Sequence, residues 1–162
     1  MPNDKLTVAD RFEIFEQLHR HQQCIDNDAS RESAQRYVDL YWPEGSFQLH
    51  DLRTQTFTGP AELKNLYDYA HSVFPLHKMR HDVGTFVIEG AGENEATVTW
   101  RWIVNWREDH QGVLSTGSYR DRFQKRDGQW KCLERISDND ANWPAALFQP
   151  WVDQAQTTFK SS

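Results

Sequence analysis

The chain has 162 residues, of which 38% are hydrophobic and 13% aromatic, including 7 Trp and 9 Phe. That length predicts one domain able to bury a core without disulfide or metal staples, with bulky rings supplying much of the buried area. The 18 Lys and Arg against 24 Asp and Glu give a net charge of -6, which speaks against a basic face that displaces counterions from nucleic acid. The densest basic run, Arg120 to Arg126, is broken by Asp121. No apolar stretch approaches the roughly 18 residues of a membrane span. The polar opening Met1-Pro2-Asn3-Asp4-Lys5 does not read as a secretory leader. Two cysteines, Cys24 and Cys132, make no disulfide framework, although one bridge between them stays open. A reducing, cytoplasmic location is therefore expected.

Thr7-Val8-Ala9-Asp10 has the form of a capping box. From there Val8, Phe12, Phe15, Leu18, Gln22 and Ile25 recur at helical spacing to about Asn27. A second helix is expected from Asp28 or Ser30, with Ala34, Tyr37, Val38 and Tyr41 inward and Pro43 ending it. Glu44 to Asp51 alternates as a strand, and Thr54 to Thr58 reads as its short return. Gly59-Pro60 opens a third helix with the stripe Leu63, Leu66, Tyr67, Ala70 and Phe74. Four strand-like runs follow, about 80–90, 94–108, 112–125 and 129–138, separated by turn signals such as Asp127-Gly128. Helices segregated from an antiparallel meander predict an α+β fold. The expected domain is 1–138, followed by a tail, 139–162.

Several of these pieces, in this order, resemble the SnoaL-like branch of the NTF2-like superfamily. They are Ile25-Asp26-Asn27-Asp28, Tyr41-Trp42-Pro43-Glu44-Gly45-Ser46-Phe47, Gly59-Pro60-Ala61-Glu62-Leu63 and Arg80-His81-Asp82-Val83, followed by Gly117-Ser118-Tyr119-Arg120-Asp121 and Asp127-Gly128-Gln129-Trp130-Lys131. The resemblance runs from about Phe12 to Ser137. It implies a cone in which three N-terminal helices cover the concave face of a strongly curved, mainly antiparallel sheet. Function varies widely on such a scaffold.

Asp26 is the first chemical candidate, because a buried helical stripe does not ordinarily end on a carboxylate that lacks a partner. His81 opens a strand whose alternation sets it with Val83, Thr85 and Val87. The resemblance implies a general acid/base histidine at this point and an orienting aspartate at Asp26. Chemically, such a pair fixes the tautomer and supports the imidazolium. Within 97–107 the even positions Val98, Trp100, Trp102, Val104 and Trp106 form one apolar face, and Asn105 lies on the other. The bile-acid dehydratase pattern has an acid where this chain has Asn105, and its phenol late in helix one is replaced by His21. The nearest tyrosines are Tyr37 and Tyr41. Asn105, Tyr119, Tyr41, Arg135 and Trp102 are the expected substrate-binding residues. Tyr119 and Arg135 also have structural readings, as a core phenol and as a partner of Asp121. His77 and His81 are four apart, but on a strand that separates them by roughly 13 Å, and no metal or other cofactor is expected. No Gly-rich phosphate loop or nucleophile elbow is present in the sequence.

Together these features lead to an expected cofactor-free lyase, of dehydratase type, or isomerase acting on a small apolar, aromatic or polycyclic ligand. The competing expectation is a non-catalytic carrier or an assembly module, such as a ring-hydroxylating dioxygenase small subunit. An open cavity at His81 would favour the first, and a cone filled with aromatic side chains the second. A homo-oligomer is expected, a dimer on the outer sheet face through Trp100, Trp102 and Trp106 or else a trimer. The stripe Trp143, Leu147 and Trp151 suggests that the tail is either a lid or a structural strap.

Overall fold

A reciprocal cap starts the chain's first helix. Thr7 Oγ1 accepts from the Asp10 amide at 3.1 Å, and Asp10 Oδ2 accepts from the Thr7 amide at 2.9 Å. The computed structural model describes residues 5–26, 30–50, 55–107 and 112–140. Over these it has three helices: α1 (Val8–Asp26), α2 (Arg31–Val38) and α3 (Gly59–Val73). Six strands follow the order β2-β1-β6-β5-β4-β3 in one sheet. They are β1 (Tyr41–Leu49), β2 (Gln55–Thr58), β3 (Met79–Gly90), β4 (Glu95–Trp106), β5 (Val113–Arg126) and β6 (Gln129–Asn139). Only the β1–β6 pairing is parallel, so the sheet is mixed. The fold class is α+β, as expected. No helix among the described residues is long and apolar enough to cross a membrane.

The helical pattern is out of phase with the burial over the first turns of α1. Val8 and Phe12 are exposed, whereas Asp10, Ile14, Leu18 and His21 are buried. The cause is the Asp10 carboxylate. Its Oδ1 accepts from Lys125 Nζ at 2.7 Å and from Trp130 Nε1 at 2.9 Å, drawing that side of α1 onto β5 and β6. The second helix ends three residues before Tyr41, which instead begins β1 and pairs with Cys132. Pro43 lies within β1, where the β1–β6 register shifts between Tyr41 and Ser46. A residue without an amide proton is accommodated at such a break.

Sheet parity decides which side chains reach the core. On β4 the even residues Ala96, Val98, Trp100, Trp102 and Val104 are buried. Trp100 and Trp102 are therefore core residues, which removes the tryptophan face expected to build a dimer on the outer sheet surface. That outer surface is polar instead, with Arg120 donating to Asp138 at 3.0 Å and Arg101 to Asp140 at 3.4 Å. On β3 the register shifts between Val83 and Phe86. This breaks the expected alternation: Thr85 and Val87 are exposed and Ile88 is buried, while Phe86 lies 4.9 Å from the Phe15 ring. Both cysteines are buried and free. Of the expected tail, 139–162, Asn139 ends β6, and residues 141–162 lie outside the described residues.

Asp10→Ala removes a cap and leaves the buried Trp130 indole N–H unpartnered, so it is expected to cost about 2 kcal/mol at neutral pH. Lys125 first, then Thr7 and Trp130, hold the Asp10 carboxyl well below the usual carboxylate range. An unfolded aspartate titrates near ~3.9. The stabilisation is therefore complete above that pH and fades as pH falls toward the folded value. Urea unfolding of both proteins at pH 7 and at pH 3 should show the difference narrowing in acid.

Candidate active site

α1 ends on Asp26 beside the start of β3. Asp26 Oδ2 accepts from the His81 amide at 2.8 Å, and its Oδ1 lies 2.7 Å from His81 Nδ1. A carboxylate has only acceptors to offer, so Nδ1 carries the ring proton in the neutral state. Nε2 is then the nitrogen left for a ligand. The backbone bond fixes β3 against the helix, and the ring bond fixes the imidazole plane. Tyr67 of α3 donates to the Cys24 carbonyl at 2.9 Å, satisfying a carbonyl in the final turns of α1.

His81 lines a cavity of about 190 Å³. Trp102, Val104, Ser115 and Tyr119 form one wall from β4 and β5, and Leu66, Ala70, His71 and Phe74 form another from α3. Tyr37, Phe47 and Met79 add to an otherwise apolar lining. Burial pushes the Tyr37 hydroxyl well above its ordinary value, so it stays a neutral phenol. Among the described residues no three His, Cys, Asp or Glu side chains converge as a metal site.

The structure brings together Asp26, His81, Trp102 and Tyr119 from the expected set, the last three at the cavity wall. It places the other three elsewhere. Asn105 is on the outer face of β4, donating to Asp82 Oδ2 at 2.8 Å. The residue before it in the inward parity, Val104, is the one that lines the cavity. Arg135 is fully buried and grips Asp121 through two bonds, Nε–Oδ1 at 2.8 Å and Nη2–Oδ2 at 2.6 Å. Trp100 Nε1 donates to the same carboxylate at 2.7 Å. The guanidinium lies over the rings of Trp100 at 5.2 Å, Tyr119 at 5.1 Å and Tyr41 at 5.8 Å. Tyr41, with its hydroxyl 3.4 Å from Arg135 Nη1, therefore belongs to this buried cluster and does not contact the cavity. Burial opposes the Arg135 charge, but Asp121 and Tyr41 outweigh it and keep the group cationic.

His21 is fully buried among Tyr37, Phe47, Trp100 and Tyr119. Burial, and after it the charge of Arg135, pushes its imidazole well below the ordinary value, so it is neutral. Sequence reasoning missed His71 and Ser115. Both had a signal: His71 follows Ala70 on the apolar stripe of α3, and Ser115 precedes Gly117 and Tyr119 at strand parity.

The family of SnoaL-like domains matches residues 6–136, and the chain belongs to it. A Nostoc punctiforme protein of unknown function with a cystatin-like fold is similar at TM-score 0.74 and 24% identity, over 86% of this chain and 97% of that one. A candidate scytalone dehydratase from Novosphingobium aromaticivorans superposes at TM-score 0.66 with 18% identity, covering 82% and 85%. The hexachlorocyclohexane dehydrochlorinase LinA-type3 from Novosphingobium barchaimii does so at 0.67 with 17% identity, covering 82% and 88%. At these identities the likeness is one of fold. A comparison with curated proteins finds no match.

Arg135→Met is expected to destabilise the protein by roughly 3–5 kcal/mol, because it strands the buried Asp121 carboxylate. Adding Asp121→Leu should recover part of that loss in urea unfolding, an outcome that identifies a structural ion pair and not a ligand contact.

Proposed function

We propose that the protein is a cofactor-independent lyase that eliminates water or halide from a small ring compound. One observation carries this reading: a histidine held through Nδ1 by a carboxylate opens onto a largely apolar cavity. In the proposed step His81 Nε2 takes a proton from a carbon of the ligand. The freed C–H electron pair forms the C=C bond, and the bond from the neighbouring carbon to its leaving group breaks with both electrons. A halide leaves as the anion. A hydroxyl leaves as water after receiving the proton now on His81, which restores the neutral ring. Asp26 acts throughout by orienting the imidazole and stabilising its cationic form.

The volume suits one substituted ring, since a dry 150 Å³ cavity in another protein accommodates benzene. Solved relatives with a dehydratase or dehydrochlorinase description support an elimination over an isomerisation. A mainly apolar lining around His81 supports proton transfer from carbon, where desolvation keeps the base unscreened.

The proton-transfer half of this chemistry can be followed without the natural substrate. Deuterium wash-in at the α-carbon of cyclohexanone in heavy water, read by proton NMR, measures carbon-proton abstraction directly. His81→Ala is expected to reduce the protein-dependent rate by roughly 100- to 10,000-fold. Asp26→Asn, which releases the tautomer, should cost about 100-fold or more. Wild-type exchange no faster than buffer, or exchange unaffected by His81→Ala, would return the cavity to the carrier reading.

A further inference from the structure

On the β4–β5 wall of the cavity two polar atoms have no hydrogen-bond partner among the described residues: the indole Nε1 of Trp102 and the hydroxyl Oγ of Ser115. Their side chains are all but fully buried, with Trp102 at 4% and Ser115 at 1% exposure. Both residues line the cavity. Native proteins seldom leave a buried donor unpaired, because the lost hydration is not repaid. His21 and Gln22 also hold unpartnered buried atoms, but neither lines this cavity. Trp102 and Ser115 thus hold the orphaned polar atoms of the β4–β5 wall.

The fold places the two as neighbours. Val104 pairs with Ser115 and Trp102 with Gly117 across the β4–β5 ladder. Trp102 and Ser115 are then diagonal neighbours on one face, a spacing that aromatic side chains bridge. Gly117 lets the indole lie across β5. A Cβ at that position would fall 2.3 Å from Trp102 Cζ2 and 2.5 Å from Cε2, the carbon bonded to Nε1. The absence of a side chain at Gly117 therefore sets the nitrogen-bearing edge of the indole over the strand that carries Ser115.

His81 belongs to the same transverse row, because it pairs with Val104. With strands about 4.8 Å apart, the His81 and Ser115 backbones are roughly 10 Å apart, with Val104 as the floor between them. One six-membered ring fills such a gap. An indole N–H is donor only and a serine hydroxyl can donate as well, so the pair is built for an acceptor atom.

We propose that Trp102 Nε1–H and the Ser115 hydroxyl form a two-donor anchor for a carbonyl oxygen on a single-ring ligand, and that the anchor orients the ring so that a carbon near the carbonyl meets His81. This inference rests on the reading of the cavity as the ligand site of the lyase. It assigns the oxygen-binding role to Trp102 and Ser115.

The test uses acetophenone and α-methylstyrene, which differ by C=O against C=CH2 on the same frame. Binding is followed in the full chain by the indole N–H resonances in proton–nitrogen NMR spectra, with Trp102 assigned by its disappearance in Trp102→Phe. Acetophenone is expected to move the Trp102 N–H signal downfield and to bind about tenfold more tightly than α-methylstyrene. Ser115→Ala, a small change that keeps the core volume, should erase much of that preference while leaving α-methylstyrene affinity unchanged. Equal affinities with an unmoved Trp102 signal would overturn the anchor while the cavity remains a ligand site. No binding of either probe would overturn both. If cyclohexanone exchange still depends on His81 while the carbonyl preference is absent, the anchor alone fails.

Discussion

Asp26 uses both carboxylate oxygens to join the last residue of α1 to His81 near the start of β3, and the cavity depends on that junction. β3 is an edge strand of the sheet, bonded on one side only to β4. Without the Asp26 contact, little near His81 would hold this end of the edge strand to the helix layer. The same two bonds decide the tautomer of the ring. Structure and chemistry therefore hang on one side chain, whose identity as a carboxylate matters for both. An amide there could accept one bond but would also present donors to Nδ1.

Two buried polar systems share this core without merging. The Asp26–His81 pair stands at the cavity and is partly open to solvent, with 20% and 13% side-chain exposure. The Arg135–Asp121 pair is sealed behind the aromatic layer, balanced by its own charges and by the Trp100 indole. His21 lies among the rings nearby, neutral because burial and the Arg135 charge both oppose its protonation. At the cavity wall, His81 is the group held against a carboxylate. The buried pair costs desolvation that its mutual attraction only partly recovers. Its contribution is positional: it seats Tyr119, whose ring lines the cavity, against Trp100.

The order of helices and strands was legible in the sequence because caps, turn residues and period changes are local signals. The Thr7–Asp10 box, Gly59-Pro60 and Asp127-Gly128 each stand where an element begins or turns. Asp26 and His81 were legible too, since a carboxylate closing an apolar stripe needs a partner. Face assignment was harder. Three tryptophans on one face of β4 suit a dimer surface and a core equally by composition, and only the covering helices decide between them. Asn105 followed that error to the wrong side of the sheet. The break in β3 near Gly84 reverses parity with no local signal beyond one glycine. Arg135 kept two readings, ligand contact and partner of Asp121, because Asp121 is 14 residues away on the neighbouring strand and periodicity alone does not show whether the two meet. Ser115 carried no signal of its own chemistry, and Trp102, expected at the substrate, takes a specific role only through its unpartnered indole N–H.

The central claim is that Asp26 holds His81 with its proton on Nδ1 and its basic nitrogen free for the ligand. Nitrogen-15 NMR of the ring, at a pH where the imidazole is neutral, reads this directly. The account predicts a protonated Nδ1, an unprotonated Nε2 and a low-field Nδ1 proton that disappears in Asp26→Asn. A ring protonated on Nε2, or ring signals that do not respond to Asp26→Asn, would contradict it.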